Sequence, residues 1–382
     1  MLEGKRIIFL LPSLELGGAE RQAVLLARYL QTEANARVAI WGIERIGRVA
    51  EICKEYGLEW ELAPFVATGA YTRDLAGMFR FFRKLRRARP DIILPYTLIP
   101  NILCGLGWKL TQARLCIWNQ RDDGFNLRND LFYHRWAVRN TSFIIANSSQ
   151  GRDVLANDFS VEPGRIEIVR NGIVLNDPVH DRTWWRSCLS VRHSDFLACM
   201  VANLHKYKDH ITLIRAWRRV VDMTTEKGIY PRLVLAGRFD GTEDEVRSEI
   251  TSLALQNHVI LLGKVADIGG LLESVDIGVF SSNSEGCPNG VLECMKVGLP
   301  VVATDIPGIR EAVGPSGIRW LSKPRDAEEL ATLIVELVAD EVMRREVGEL
   351  NRKRVENMFS PRQMYENSAA ILCKHLSCAK PN

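Results

Sequence analysis

Two glutamates frame the stretch with the most chemistry in it. Glu285 and Glu293, in E-G-C-P-N-G-V-L-E, stand with seven residues between them on either side of a Pro/Gly segment that opens an expected helix. Pro288 and Gly290 shape the first turn of that helix, Glu285 lies outside it, and Glu293 is expected to project from it. The amide N–H groups of Gly290, Val291 and Leu292 at such a start lack intrahelical partners and carry partial positive charge, which suits a phosphate. Carboxylates on both sides serve no purpose for phosphate alone. They fit a phosphate that carries hydroxyl-rich groups on each side, as a nucleotide-sugar does. Taken singly, Glu285 is a loop charge, and Glu293 is a first-turn acid worth about 0.5 kcal/mol to its helix.

Two cations belong to the same reading. Lys208 in N-L-H-K-Y-K-D-H and Arg238 in A-G-R-F-D-G both sit in strand-to-helix loops, on the sheet edge that also receives the Gly290 to Leu292 amides. Side chain and helix start together can hold a diphosphate. Either cation by itself is an ordinary solvated charge. Near the N-terminus, Gly17 and Gly18 separate a strand from a helix, where the lack of Cβ lets a ligand or a backbone come close. An ordinary turn explains that pair equally well, and the dinucleotide fingerprint G-x-G-x-x-G is absent.

Those residues need strands and helices behind them. Short apolar runs predict strands at residues 6–11, 38–43, around 62, 92–94, 115–118, 143–146 and 165–169, with helical periodicity between them. After R-N-G-I-V-L-N-D-P-V at residues 170–179, a turn-rich boundary, the alternation restarts. Strands follow at 196–202, 233–236, 259–262, 275–280, 301–304 and 318–321. Helices are expected over 210–223, 244–255 and 326–338. A last helix starts at S-P-R-Q, with Ser360 as its cap and Pro361 at its first position. The pattern means two α/β domains with parallel sheets, whose ligands collect beyond the carboxyl ends of the strands. Those ends hold Gly17 and Gly18, Tyr96 and Thr97, residues 119–123, and Asn147 and Ser148.

Composition narrows the class. A chain of 382 residues exceeds one ordinary core, and 47% apolar with 25% charged residues describes a soluble globular protein. A net charge of +4 does not imply nucleic acid. Nine cysteines form no C-x-x-C pair and no zinc-ligand spacing with the seven histidines, as for scattered thiols in a reducing cytoplasm. No segment reads as a signal peptide or membrane span. Residues 79–89, F-R-F-F-R-K-L-R-R-A-R, set six basic side chains, Arg80 to Arg89, around Phe79, Phe82 and Leu85. This is either a peripheral contact for anionic lipid headgroups or a core-packed helix with a solvated face.

The stretch E-G-C-P-N-G-V-L-E-C-M-K-V-G-L-P-V-V-A-T-D-I-P-G-I-R-E at 285–311 resembles the retaining glycosyltransferases of the family-four group, also called group 1 type. L-G-G-A-E-R (16–21), V-R-N-G-I (169–173), V-A-N-L-H-K-Y-K-D-H (201–210) and L-L-G-K-V-A-D (261–267) extend the resemblance over nearly the whole chain. It implies the GT-B architecture: two Rossmann-like parallel-sheet domains facing a central cleft. Residues 1–175 would form the acceptor-side domain, 176–359 the donor-side domain, and 360–382 a helix packing back on the first. The resemblance further implies that Glu293 binds the ribose hydroxyls and Glu285 the donor sugar near the reacting face. Asn289 to Leu292 would hold sugar and diphosphate, Lys208 would neutralise the departing diphosphate, and Val265 would meet the base. Gly17 and Gly18 would let the first-domain loop approach donor and acceptor. Asn203 stands where the family often has Arg, which shifts phosphate charge to Lys208, Lys206 or Arg238. W-N-Q-R-D-D replaces a frequent first-domain His, so Gln120 or Arg121 stands in, with Arg121 and Asp122 on the acceptor side.

What this implies is a metal-independent, cytoplasmic-side hexosyltransferase with no cofactor, and no Asp-x-Asp pair occurs in the chain. Its donor would be a nucleoside diphosphate sugar, and its acceptor a glycan or lipid-linked molecule of polysaccharide or glycolipid biosynthesis. Three rivals stay open: a nucleotide-sugar epimerase, a glycoside phosphorylase, and a catalytically silent nucleotide-sugar-binding subunit. A dinucleotide oxidoreductase is disfavoured by the missing glycine fingerprint.

Overall fold

The computed structural model describes residues 1–65, 71–124, 127 and 131–379, without the side chains of 71–73 and 131. The chain divides into two compact units, one made of Met1–Gly172 with Pro361–Asn382, the other of Ile173–Ser360. In the first unit the elements are β1 (Arg6–Leu11), α1 (Gly18–Thr32), β2 (Arg37–Gly42), α2 (Arg48–Tyr56), β3 (Glu59–Leu62), α3 (Tyr71–Arg87), β4 (Ile92–Pro95), α4 (Leu98–Gly107), β5 (Leu115–Gln120), α5 (Leu131–Asn140), β6 (Phe143–Ala146), α6 (Ser149–Asp158) and β7 (Ile166–Ile168). The strands form one parallel sheet in the order β3-β2-β1-β4-β5-β6-β7. Both faces are covered, which is why β1 reads as an unbroken apolar run. Ile7, Phe9 and Leu11 face the side of α1 and α2, while Ile8 and Leu10 face Phe81, Phe82 and Leu85 of α3.

The second unit runs α7 (Arg182–Cys188), β8 (Phe196–Val201), α8 (His210–Thr225), β9 (Pro231–Ala236), α9 (Glu243–Ser252), β10 (Val259–Gly263), α10 (Ile268–Ser274), β11 (Ile277–Phe280), α11 (Asn289–Lys296), β12 (Val301–Thr304), α12 (Pro307–Gly317), β13 (Leu321–Ser322), α13 (Ala327–Ala339) and α14 (Glu341–Met358). Its parallel sheet has the order β10-β9-β8-β11-β12-β13. The last helix, α15 (Pro361–Cys378), belongs to the first unit: Met364, Ile371, Leu372 and Leu376 join its core, Tyr365 stacks on Tyr29 at 5.1 Å, and Arg114 donates to the carbonyls of Leu376 and Ala379.

The expected doubly wound sheets are present in both halves. Two local expectations change. Residues 318–320 form a single 3-10 turn, and the strand that follows is only Leu321–Ser322. Periodicity does not announce α14 either, because Val347, Asn351 and Val355 supply a narrow stripe in an otherwise charged sequence.

Candidate active site

In each sheet the first strand has its successors on opposite sides, so a topological switch point lies between β8 and β11, and another between β1 and β4. Loops leaving the carboxyl ends of such strands diverge there and leave room for a ligand. The loop after β8 carries Asn203 and Lys208, and the loop after β11 carries Glu285. The two are stitched together by backbone: Asn283 N–H donates to the Tyr207 carbonyl at 2.9 Å, and Asp209 N–H to that of Ser281 at 3.1 Å. Side chains complete the junction. Lys208 Nζ ion-pairs with Glu285 Oε1, Ser282 Oγ donates to the same oxygen at 3.1 Å, and Ser281 Oγ donates to the Asp209 carbonyl. The glutamate side chain is only 12% exposed, so this pairing supplies charge compensation that water does not.

Close backbone approach fixes the rest of the loop. A Cβ on Gly290 would stand 2.2 Å from the Val201 carbonyl oxygen, so the first turn of α11 seats directly on the end of β8. A Cβ on Gly308 would stand 2.2 Å from the Glu285 carbonyl oxygen, so the start of α12 backs the glutamate loop. Since α11 begins at Asn289, Glu293 lies beyond the first turn, not in it, and no acid occupies that turn. Glu293 is 4% exposed. The helix-dipole explanation for it therefore falls away, because that effect fades after the first turn.

Around this core the other residues take distinct places. Asn203 Oδ1 accepts from the Arg238 N–H at 3.1 Å and clips the β8 loop to the β9 loop, while the Arg238 guanidinium pairs with Asp240 at 3.0 Å. Val265 follows β10 at the far edge of the sheet, half-buried. His210, quoted in the motif but without a role, is buried at the start of α8. Its Nδ1 bonds the Lys208 carbonyl at 3.0 Å, and its Nε2 has no partner. Burial, with a smaller push from Lys208, lowers its pKa to about 4. A neutral ring with the proton on Nδ1 fits that geometry. Among the described residues no three His, Cys, Asp or Glu gather as a metal site would require.

The corresponding edge of the first unit is arranged differently. Gly17 caps α1 in extended backbone (φ −123°), and a Cβ there would meet only the Glu20 carboxylate. Thr97, at the end of β4, has φ 67° and ψ 178°. Gln120 is buried, accepting from Trp118 Nε1 and donating to Asp122, so its amide is used internally. Asp122 also accepts from Gly124 N–H at 2.8 Å, and burial pushes its carboxyl up. Arg121 is half-buried, with its guanidinium on the Tyr96 ring. Tyr96 and Asn171, its side-chain partners, come from strand ends that no local motif links. Of the basic stretch at 79–89, Phe82 and Leu85 are core residues, whereas Phe79 is 64% exposed.

Residues 16–177 match the sequence profile described as Glycosyltransferase Family 4, and residues 181–354 match that of Glycosyl transferases group 1. An uncharacterized glycosyltransferase of Methanocaldococcus jannaschii is 24% identical over 259 residues, 62% of this chain and 61% of the relative. The Escherichia coli UDP-Gal:alpha-D-GlcNAc-diphosphoundecaprenol alpha-1,3-galactosyltransferase is 20% identical over 283 residues, 71% of this chain and 72% of the relative. The crystal structure of Anabaena Alr3699/HepE in complex with UDP and glucose superposes with a TM-score of 0.83 at 20% identity, covering 97% of this chain and 100% of that one. Together the two profiles account for both units, and the fold is GT-B. The chain belongs to the group 1, family-four glycosyltransferases.

Proposed function

We propose that the chain is a retaining, metal-independent glycosyltransferase that moves a hexose-type residue from a nucleoside diphosphate sugar to a glycan or lipid-linked acceptor, on the cytoplasmic side of a membrane, in polysaccharide or glycolipid biosynthesis. The observation that carries the reading is the Lys208–Glu285 pair beside the amide-rich start of α11, with Glu293 buried one turn further on. In this reading the α11 amides and Lys208 stabilise charge as it develops on the departing diphosphate. Glu293 holds ribose hydroxyls, Glu285 orients the transferred sugar, and Asn203, Arg238 and Val265 complete the donor side. Gly17 and Gly18 let the first-unit loop approach donor and acceptor, Arg121 and Asp122 serve the acceptor, and no protein nucleophile is assigned. A UDP-linked donor is favoured by the E. coli relative, whose name specifies UDP-Gal, and by the Anabaena structure solved with UDP.

We also infer a peripheral contact with anionic bilayer through the outer faces of α3 and α5. Among the described residues of the first unit, Leu75, Phe79, Phe132, Tyr133 and Trp136 are large exposed apolar groups of these helices. Arg80, Arg83, Arg86, Arg135 and Arg139 stand exposed among them. Aromatic and cationic side chains in one layer suit the headgroup region. No described helix is long and apolar enough to cross a membrane.

The donor reading is tested by thermal shift with UDP-, GDP- and ADP-sugars, since a bound donor stabilises the fold by mass action. Nucleoside diphosphate release in the presence of acceptors follows. Unchanged turnover in Glu285→Ala, Lys208→Ala and Glu293→Ala would overturn the assignment. Phosphate-dependent cleavage would identify a phosphorylase, and donor binding without turnover on any acceptor a silent subunit. For the membrane, co-sedimentation with phosphatidylglycerol and with phosphatidylcholine vesicles decides, and equal partitioning ends that reading.

A further inference from the structure

The first unit holds a cation whose described neighbours leave its charge unmatched. Arg121 follows β5 at the carboxyl edge of the sheet. Its guanidinium lies 4.6 Å above the centre of the Tyr96 ring, donates from Nη2 to Tyr96 Oη at 3.0 Å, and from Nη1 to Asn171 Oδ1 at 3.4 Å. Both acceptors are neutral. Its Nε is buried with no hydrogen-bond partner. Among the described residues no carboxylate pairs with it. The adjacent Asp122 is engaged elsewhere, by Gln120 Nε2 and Gly124 N–H, in a turn of its own.

Two other arginines are tied into the backbone. The buried Arg186 pairs with Asp276 at 2.8 Å and donates to four backbone carbonyls, and the half-buried Arg354 donates to the carbonyls of Glu311 and Ala312. Those are structural ties. Arg121 is held by stacking and by neutral groups, which orient a guanidinium without consuming its charge. A second observation marks the same place. Thr97, next to Tyr96, occupies a backbone region that is essentially reserved for glycine, and such strain, about 1–3 kcal/mol, gathers at ligand clamps.

We propose that Arg121 is an oxyanion-recognition residue of the first unit, and that the acceptor bound there carries a phosphate group. The guanidinium fork matches two phosphate oxygens, and Tyr96 and Asn171 fix its angle. The inference rests on the first unit being the acceptor side. It leaves two sources of the phosphate: a lipid-linked diphosphate, or a free phosphorylated sugar.

The test titrates geranyl diphosphate and α-glucose 1-phosphate by calorimetry into the full chain and into Arg121→Gln, Arg121→Lys and Lys208→Ala. The expected result is binding that survives Lys208→Ala and weakens about tenfold or more in Arg121→Gln, consistent with a charged hydrogen bond. Arg121→Lys, which keeps the charge but loses the fork, should fall between, and it serves as the readout if Arg121→Gln does not fold. An effect on geranyl diphosphate alone assigns a lipid diphosphate, and on glucose 1-phosphate alone a phosphorylated sugar. Binding that is lost in Lys208→Ala and kept in Arg121→Gln overturns the proposal, because the phosphate then sits in the second unit. Preference for glucuronate over both phosphates overturns it too. Since Lys208→Ala removes the donor-side cation, the phosphate subsite and the donor reading can fail separately.

Discussion

The two units share one topology and equip it in opposite ways. At the β8/β11 switch point, opposite charges meet, and neighbouring loops are tied by backbone hydrogen bonds and by glycines that allow near contact. On the same edge of the first unit the Arg121 guanidinium lies on the Tyr96 ring and bonds Tyr96 and Asn171, beside one strained threonine, and no carboxylate among the described residues pairs with it. The difference teaches where each kind of site is written. In the function proposed, a pyrophosphate demands the same amides and cation whatever sugar it carries, which suits the tightly tied second edge, where Lys208 and Glu285 meet from loops 77 residues apart. The first edge gathers its groups from residues 96, 97, 121 and 171, far apart in the chain.

The contrast breaks most readily at Lys208. In Lys208→Ala the rate of transfer should fall about 10²–10³-fold, the scale of losing one electrostatic group aimed at developing charge. Stability should also fall by about 1–3 kcal/mol, because Glu285 is left mostly buried with no cation. Arg121→Gln should leave stability nearly unchanged, since among the described residues no carboxylate pairs with Arg121. Chemical denaturation of the two variants side by side checks this, and equal losses would mean that the edges do not differ as described.

Acid should act on the second edge through His210. Burial lowers its folded-state pKa to about 4, whereas in the unfolded chain it titrates near 6.5. Between those values the unfolded state binds the proton and the folded state does not. Stability conferred by the neutral ring is thus present above pH ~6.5 and is lost as pH falls toward 4, by up to about 3 kcal/mol. His210→Gln should abolish that part of the slope. Urea midpoints of wild type and variant at pH 7 and pH 4.5 provide the measurement, and parallel declines would contradict it.

How much of this was legible in sequence follows from the same contrast. The central strands were visible as short apolar runs, because a strand buried on both faces needs nothing else, whereas the edge strand β3 (E-W-E-L) and the two-residue β13 were placed only roughly. Glu285, Gly290 and Glu293 were legible because they stand in one strand–loop–helix unit, β11 to α11, and Lys208 because it stands in the loop between β8 and α8. His210 and Gly308 lay inside quoted motifs, yet their roles depend on a carbonyl contact and on a helix start that only three dimensions supply. The turn of α11 that carries Glu293 was misplaced, since Pro288 and Gly290 mark a helix start without fixing its first residue. On the first edge, Gln120 and Arg121 were equivalent as letters. The Trp118 and Asp122 bonds that occupy Gln120 separate them. Thr97 was legible as a strand-end residue but its strain was not, because backbone strain has no composition.

Glycines sharpen the comparison with a smaller effect. Gly290→Ala pushes a methyl against a backbone carbonyl and should cost about 1–3 kcal/mol, together with weaker donor binding. Gly17→Ala meets only the end of the Glu20 side chain, in backbone any residue adopts, so its cost should stay within about 0.5 kcal/mol. Melting temperatures with and without UDP-sugar separate the two. A destabilised Gly17→Ala would show that the first edge is as tightly packed as the second.

The smallest expected change is a gain, at Thr97. Its φ of 67° and ψ of 178° cost a β-branched residue about 1–3 kcal/mol, while glycine adopts them freely. Glycine gives back about 0.5–1 kcal/mol through the entropy of the unfolded chain. Thr97→Gly should therefore be more stable by about 1 kcal/mol, a rise in melting temperature of about 2–4 °C for a unit of this size. Thr97→Ala keeps the strain, so it should show no such gain. If the strain positions the Tyr96 ring under Arg121, Thr97→Gly should also weaken phosphate-ester binding while melting higher. A stabilised variant with unchanged binding would leave the strain real but unconnected to recognition, and the first edge would then rest on Arg121 alone.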